Sequence, residues 1–171
     1  MGNIRQSSKH LKLCLEEALY SLLETKPFNE IDVKLLCKTA YVGRTSFYRY
    51  FNGPEDVVLF SFLHLWEDWC DAHNVKERKK FTLDNANTFF EYNYSIRNKL
   101  NLVYKNGLES VLLKSFENIM TESTSHNYEA RFYGYGLFSM LKEWWLRDFK
   151  ESPEQLAALI ETIVKNGNLL N

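Results

Sequence analysis

The 171-residue sequence predicts an all-α protein, and three observations lead there. Only three prolines and seven glycines interrupt the chain, too few for a turn-rich β architecture. Apolar residues recur at three- and four-residue steps, the period of a helix that buries one face. Residues that start and stop helices bracket the segments marked in this way, among them Asp32, Gly43 and Pro54.

The first such segment, residues 7–24, places Leu11, Cys14, Leu15, Ala18, Leu19 and Leu22 on one face and turns Lys9, Lys12, Glu16 and Glu17 outward. Pro27 prevents its continuation, and Phe28 and Ile31 are apolar residues of the connection. Asp32 is a good N-cap for a short helix over 33–39 with Leu36 and Ala40 inward. A turn at Tyr41 and Val42 leads to a third helix that starts near Arg44, capped by Gly43, with Phe47 and Phe51 on one face. Two short helices joined by so tight a turn are what a helix-turn-helix requires. Gly53 then offers a permissive backbone, and Pro54 suits the first position of a long helix over 54–73, with Glu55 and Asp56 where its dipole favours negative charge.

A charged loop over 75–80 follows. Helices are predicted at 82–97, 100–105 and 108–122, the middle one short and flanked by Asn98 and Asn106-Gly107. Small polar residues at 121–127 precede a helix over 128–149 with two apolar faces. Tyr133, Gly136, Leu137, Met140, Leu141 and Trp144 form one face, and Phe138, Trp145 and Phe149 the other. Ser152-Pro-Glu-Gln155 is a capping box that starts a final helix carrying Leu156, Leu159, Ile160, Ile163 and Val164, ended by Gly167.

Charge separates the two parts of the chain. The whole carries a net charge of −1, yet residues 1–53 hold eight basic side chains (Arg5, Lys9, Lys12, Lys26, Lys34, Lys38, Arg44, Arg49) against five acidic ones (Glu16, Glu17, Glu24, Glu30, Asp32). From Val33 to Pro54 there is no carboxylate at all, and an anionic polymer such as double-stranded DNA is the natural partner for that window. The boundary therefore falls between a DNA-facing domain, 1–53, and a larger helical domain, 54–171.

Other classes find less support. Cys14, Cys37 and Cys70 are too widely spaced for a disulfide framework or a ligand cluster and read as reduced residues of a cytoplasmic protein. The N-terminus lacks the apolar core of a secretion signal, and the most apolar run, 57–66, is far shorter than a bilayer span, so no membrane is expected. No phosphate-binding glycine loop, nucleophile elbow or metal-spaced cluster points to an enzyme or a cofactor. His64 with Asp68, and Asp71 with His73, are the nearest approach to a metal-ligand group, and only the first pair shares a helix face.

The stretch from Asp32 to Phe51, Asp-Val-Lys-Leu-Leu-Cys-Lys-Thr-Ala-Tyr-Val-Gly-Arg-Thr-Ser-Phe-Tyr-Arg-Tyr-Phe, resembles the DNA-binding domain of the TetR/AcrR family of bacterial transcriptional regulators. The family pattern is a long helix, then a helix-turn-helix ending in Tyr-x-His/Tyr-Phe, then a link into a long fourth helix. Its fit here, over residues 7–57, covers about a third of the chain. The resemblance implies that Arg44 and Thr45 face the major groove, with Arg44 reading bases and Thr45 a base edge or thymine methyl. It also implies that Tyr48 and Tyr50 bond phosphates. Arg49 serves either task, while Lys34 and Lys38 supply long-range attraction. Three positions depart from the pattern. Tyr41 replaces the turn glycine, Gly43 the serine that caps the recognition helix, and Pro54 the lysine that opens the fourth helix.

For the C-terminal domain the resemblance implies a helical bundle that dimerises and responds to a small-molecule effector. Its aromatics, Trp66, Trp69, Phe89, Phe90, Tyr104, Phe116 and Phe138 among them, are candidates for an apolar pocket, though a helical core requires large residues in any case. The homodimer interface is expected from Tyr133, Gly136, Leu137, Met140, Trp144, Leu156, Leu159, Ile160 and Ile163, as a four-helix contact across a twofold axis. The Gly-containing helix followed by Glu-Trp-Trp and Ser-Pro-Glu is similar to the subgroup that includes the dihydroxyacetone-kinase operon activator. A helical interaction module that has lost DNA binding is the alternative, for which Gly43 and Pro54 give some motive.

Overall fold

The computed structural model describes residues 2–76, 78, 83–120 and 128–166, with side chains for 8–76, 78, 83–119, 132 and 134–166. Among the described residues every regular element is helical: α1 (Gly2–Leu23), α2 (Val33–Thr39), α3 (Arg44–Phe47), α4 (Pro54–Ala72), α5 (Ala86–Ser95), α6 (Arg97–Lys105), α7 (Glu109–Met120), α8 (Tyr128–Leu146) and α9 (Pro153–Asn166), with 3-10 turns at Phe28–Glu30 and Leu83–Asn85.

Capping chemistry decides where most of these begin. Asp32 Oδ1 accepts from Leu35 N at 2.7 Å and starts α2. Ser152 and Gln155 bond reciprocally ahead of α9: Gln155 Oε1 accepts from Ser152 N at 2.8 Å, and Ser152 Oγ accepts from Gln155 N at 3.3 Å.

Four helix ends share one motif. At α2, Val42 N donates to Cys37 O (2.9 Å) and Tyr41 N to Lys38 O (3.3 Å). The pattern recurs at α4 (Val75 N to Cys70 O, 2.9 Å), α6 (Leu108 N to Val103 O, 3.1 Å) and α8 (Phe149 N to Trp144 O, 2.9 Å). Each needs one residue in the left-handed region, and these are Tyr41 (φ 54°), Asn74 (54°), Gly107 (71°) and Asp148 (56°). At α8 the adjoining Phe149 is left-handed as well (φ 53°), its ring against that of Trp144 at 5.1 Å, so the helix stops at Leu146 rather than running on to residue 149 as expected.

Other boundaries shift for local reasons. No breaker lies between Gly2 and Ser8, so α1 starts five residues before the expected position 7. α6 begins at Arg97 rather than 100, leaving only Ile96 between it and α5. At that bend Tyr92 O accepts from Ser95 Oγ at 2.7 Å and Tyr94 O from Arg97 at 2.9 Å.

The chain forms two compact units. The first runs to His64 and adds Leu102–Lys114. Leu15, Leu19, Leu36, Phe47, Val57, Val58 and Val103 are its most deeply buried apolar side chains, and Asn106 Oδ1 accepts from Phe28 N at 2.9 Å. Glu16 corrects the expectation that it faces outward. It is 3% exposed, because α4 supplies partners for its carboxylate: Ser61 Oγ donates to Oε1 at 2.9 Å and His64 Nε2 lies 3.2 Å from Oε2.

The second unit holds Leu65–Asn101 and the chain from Ser115 onward. Here α9 packs along α5, with Leu156 and Ile160 turned inward. Phe90, Leu137 and Trp144 fill the interior, and Trp144 Nε1 donates to Glu151 O at 3.0 Å.

Candidate nucleic-acid interface

Between Asp32 and Phe51 the side chains sort cleanly by burial. Leu36, Cys37, Phe47 and Phe51 are buried, whereas Lys34, Lys38, Tyr41, Gly43, Arg44, Thr45, Tyr48, Arg49 and Tyr50 are exposed. An aromatic chain anchors the buried side. Phe47 meets Phe51 at 5.6 Å between ring centroids, and Phe51 meets Phe60 of α4 at 5.9 Å. Of the exposed tyrosines, Tyr48 stands perpendicular to Phe47 at 5.4 Å.

The recognition segment is compact. Only Arg44–Phe47 is α-helical, and a turn continues it, with Tyr48 N donating to Arg44 O at 3.0 Å and Phe51 N to Phe47 O at 3.0 Å. Gly43 caps α3 in an extended conformation (φ −69°) and contributes no side-chain bond. Pro54 opens α4 as expected, while Asp56 Oδ2 accepts from Asn52 N (2.8 Å) and Asn52 Nδ2 (2.9 Å), tying the link to the helix it enters.

Two features of this face were not found from sequence. The Lys12 ammonium of α1 lies 5.1 Å from the Tyr50 ring centroid and 5.3 Å from that of Phe60, a cation-π contact that adds a positive charge beside Tyr50. Its spacing on an outward helix face carried no signal, since the partners come from the turn after α3 and from α4. The Arg44 guanidinium also acts on the thiol of Cys37, yet burial outweighs that pull and pushes the thiol above its ordinary value.

The aromatic residues proposed for a ligand pocket occupy different places. Trp66, Phe89, Phe116 and Phe138 form a chain of contacts in the second unit, with centroids 6.0–6.2 Å apart. Phe90 is fully buried against Trp144 (5.9 Å), and Trp69 stacks on His73 at 3.8 Å. Tyr104 belongs to the first unit, where burial raises its phenol far above the ordinary value. An open crevice of about 190 Å³ lies elsewhere, lined by Tyr94, Arg97, Asn98, Asn101, Asp148 and Phe149.

The residues expected at a dimer interface divide. Leu137 (1% exposed), Trp144 (1%), Leu156 (6%) and Ile160 (5%) fill the core of the unit. Leu159 (48%), Ile163 (47%) and Gly136 are exposed and Met140 is half-buried, while the Tyr133 side chain lies outside the described residues, as does Gly167. Phe132 of α8 is 76% exposed and was not singled out in the sequence as an interface residue. The two His/Asp pairs weighed as metal ligands are engaged elsewhere: His64 by Glu16, His73 by Trp69 O at 2.9 Å, and Asp71 by Arg78.

A short helix, a tight turn and a second short helix with an exposed basic and aromatic face define a helix-turn-helix protein. A family model of the TetR type, described as transcriptional regulator C-terminal region, matches residues 74–166, more than half of the chain. The chain belongs to the TetR family of transcriptional regulators. Among solved structures, it is similar to the dihydroxyacetone kinase operon activator DhaS, with 16% identity, a TM-score of 0.57, and 92% of this chain and 95% of that one covered. It is also similar to the fatty acid degradation regulator FadR from Bacillus halodurans, with 16% identity, a TM-score of 0.53, and 90% and 93% covered. At that identity the likeness establishes the fold. No curated protein sequence matches the chain. Among the described residues no helix is long and apolar enough to cross a membrane.

Proposed function

We propose that this TetR-family regulator acts as a homodimer that reads a pseudo-palindromic operator through residues 32–51 and answers to a small-molecule effector in its C-terminal domain. The division of labour is residue by residue. Arg44 forks onto a guanine edge, Thr45 meets the adjacent base, and Gly43 lets the backbone approach closely. Tyr48 and Tyr50 bond phosphates on either side, while Arg49, Lys34 and Lys38 add charge. The observation that carries the reading is the separation within one short segment: Phe47 and Phe51 are buried, and every cation and hydroxyl named here stands exposed.

The dimer is proposed through α8 and α9. Leu159 and Ile163 are four residues apart on one helix, both about half exposed, and Phe132 with Gly136 gives α8 a matching apolar strip. Leu156, Ile160, Leu137 and Trp144 support that surface from within. The effector reading rests on the aromatic interior of the second unit, where Trp66, Phe89, Phe116 and Phe138 meet.

Selection of bound duplexes from a random pool tests the proposal. Enrichment of an inverted repeat, with half-site centres about one helical turn (roughly 35 Å) or a multiple of it apart, is the expected result. A pool that stays random, together with binding insensitive to salt, would instead favour the interaction module without DNA binding.

A further inference from the structure

Four helices end in the same capping motif, and three of them place a suitable residue in its left-handed position: Asn74, Gly107 and Asp148. Glycine is unhindered there, and asparagine and aspartate are the side chains that tolerate it best. The fourth, between α2 and α3, holds Tyr41 at φ 54°. A bulky aromatic in that region is a genuine outlier, and such strain persists where packing enforces it or where the residue is used. Packing does not explain Tyr41. Its side chain is 97% exposed, the most exposed of the large apolar residues, whereas Phe149, the other left-handed aromatic, leans on Trp144 at 5.1 Å.

The surroundings indicate what an exposed phenol there would meet. Tyr41 sits in the turn directly ahead of Arg44, with Lys38 one helical turn before it, in a stretch free of carboxylates from Val33 to Pro54. Phe47 and Phe51 are buried, and Tyr41 is exposed along with Arg44, Tyr48 and Tyr50. We infer that Tyr41 is itself a DNA contact, its hydroxyl donating a hydrogen bond to a backbone phosphate at the entry of the recognition segment. Being in the turn rather than on α3, it sets the position of the segment on the duplex and carries no base readout. This inference rests on the DNA-binding reading above.

The test uses the full chain and a selected duplex, with Tyr41→Gly, Tyr41→Asn and Tyr41→Phe beside Arg44→Ala. Glycine and asparagine relieve the backbone and remove the hydroxyl, so both variants should melt higher than the parent and bind about tenfold more weakly. Tyr41→Phe should weaken binding by a similar factor without the gain in melting temperature. Because a phenol is uncharged, the slope of log affinity against log salt should stay that of the parent, and the loss should be the same on selected and unrelated duplexes. Parent-like affinity in all three variants overturns the inference. So does a loss confined to the glycine and asparagine variants, which would make the ring rather than the hydroxyl the contact. If the parent binds no duplex, and Arg44→Ala is equally without effect, it is the DNA-binding reading that fails.

Discussion

At the scale of single residues, the proposed reading of segment 44–51 gives separate tasks to neighbouring positions. Arg44→Ala should cost on the order of 1–3 kcal/mol of operator affinity and relax preference at one base position, which binding to a panel of single-base operator variants would reveal. Unchanged affinity across the panel would remove Arg44 from readout. Phe47, fully buried and in contact with Phe51, should behave oppositely. Phe47→Ala is expected to cost roughly 3–5 kcal/mol of folding stability in denaturant titration, with DNA binding lost through the fold. The burial of Phe47 and Phe51 and the exposure of Arg44, Thr45, Tyr48 and Tyr50 were legible in the sequence because helical spacing relates neighbouring residues. Lys12 was not legible: what gives it meaning is the position of its ammonium over Tyr50 and Phe60, which belong to other elements.

Elements were legible where the chain writes its own boundary. Asp32 places the start of α2 at Val33, and Ser152-Pro153 the start of α9 at Pro153, because cap and helix lie within four residues of each other. Asp32→Ala should therefore destabilise the first unit by about 1 kcal/mol in a thermal or chemical melt, and an unchanged melt would deny the cap its role. Boundaries that depend on the motif at the end of a helix were harder to see. Asp148 carries no stop signal as strong as glycine, and α8 was expected to continue past it. Glu16 failed for a different reason, since its hydrogen-bond partner Ser61 is 45 residues away and no local periodicity could announce it.

For the molecule as a whole, association and proton linkage can each be tested. Replacing the half-exposed Leu159 and Ile163 together by Asp should convert a dimer into a folded monomer in sedimentation, with helicity retained, because neither side chain fills the core. If the parent protein is already monomeric at micromolar concentration, the paired-operator reading falls. Burial also holds the Cys70 thiol well above its ordinary value, at about 11 instead of 9.0, so the folded state keeps a proton that the unfolded chain would release. The resulting stability is fully present below pH 9.0 and is lost as the pH rises through about 11. Melting points measured across that window should fall more steeply for the parent than for Cys70→Ala, and parallel curves would rule out the linkage.

The carboxylate of Glu16 bears on all of this through geometry rather than energy. Apolar ridges of two packed helices can slide past one another by a turn, about 5.4 Å, and find new hollows of nearly the same depth. A buried acid bonded to Ser61 and facing His64 cannot, because every other setting leaves it stranded among hydrocarbon. Glu16 thus works as an index pin between α1 and α4. Lys12 rides on the same helix one turn away, so the pin also determines whether a positive charge arrives over Tyr50 or misses it. A hydrocarbon at position 16 could leave the protein as stable as before and still allow two alignments of α1, only one of which brings the Lys12 ammonium over the Tyr50 ring.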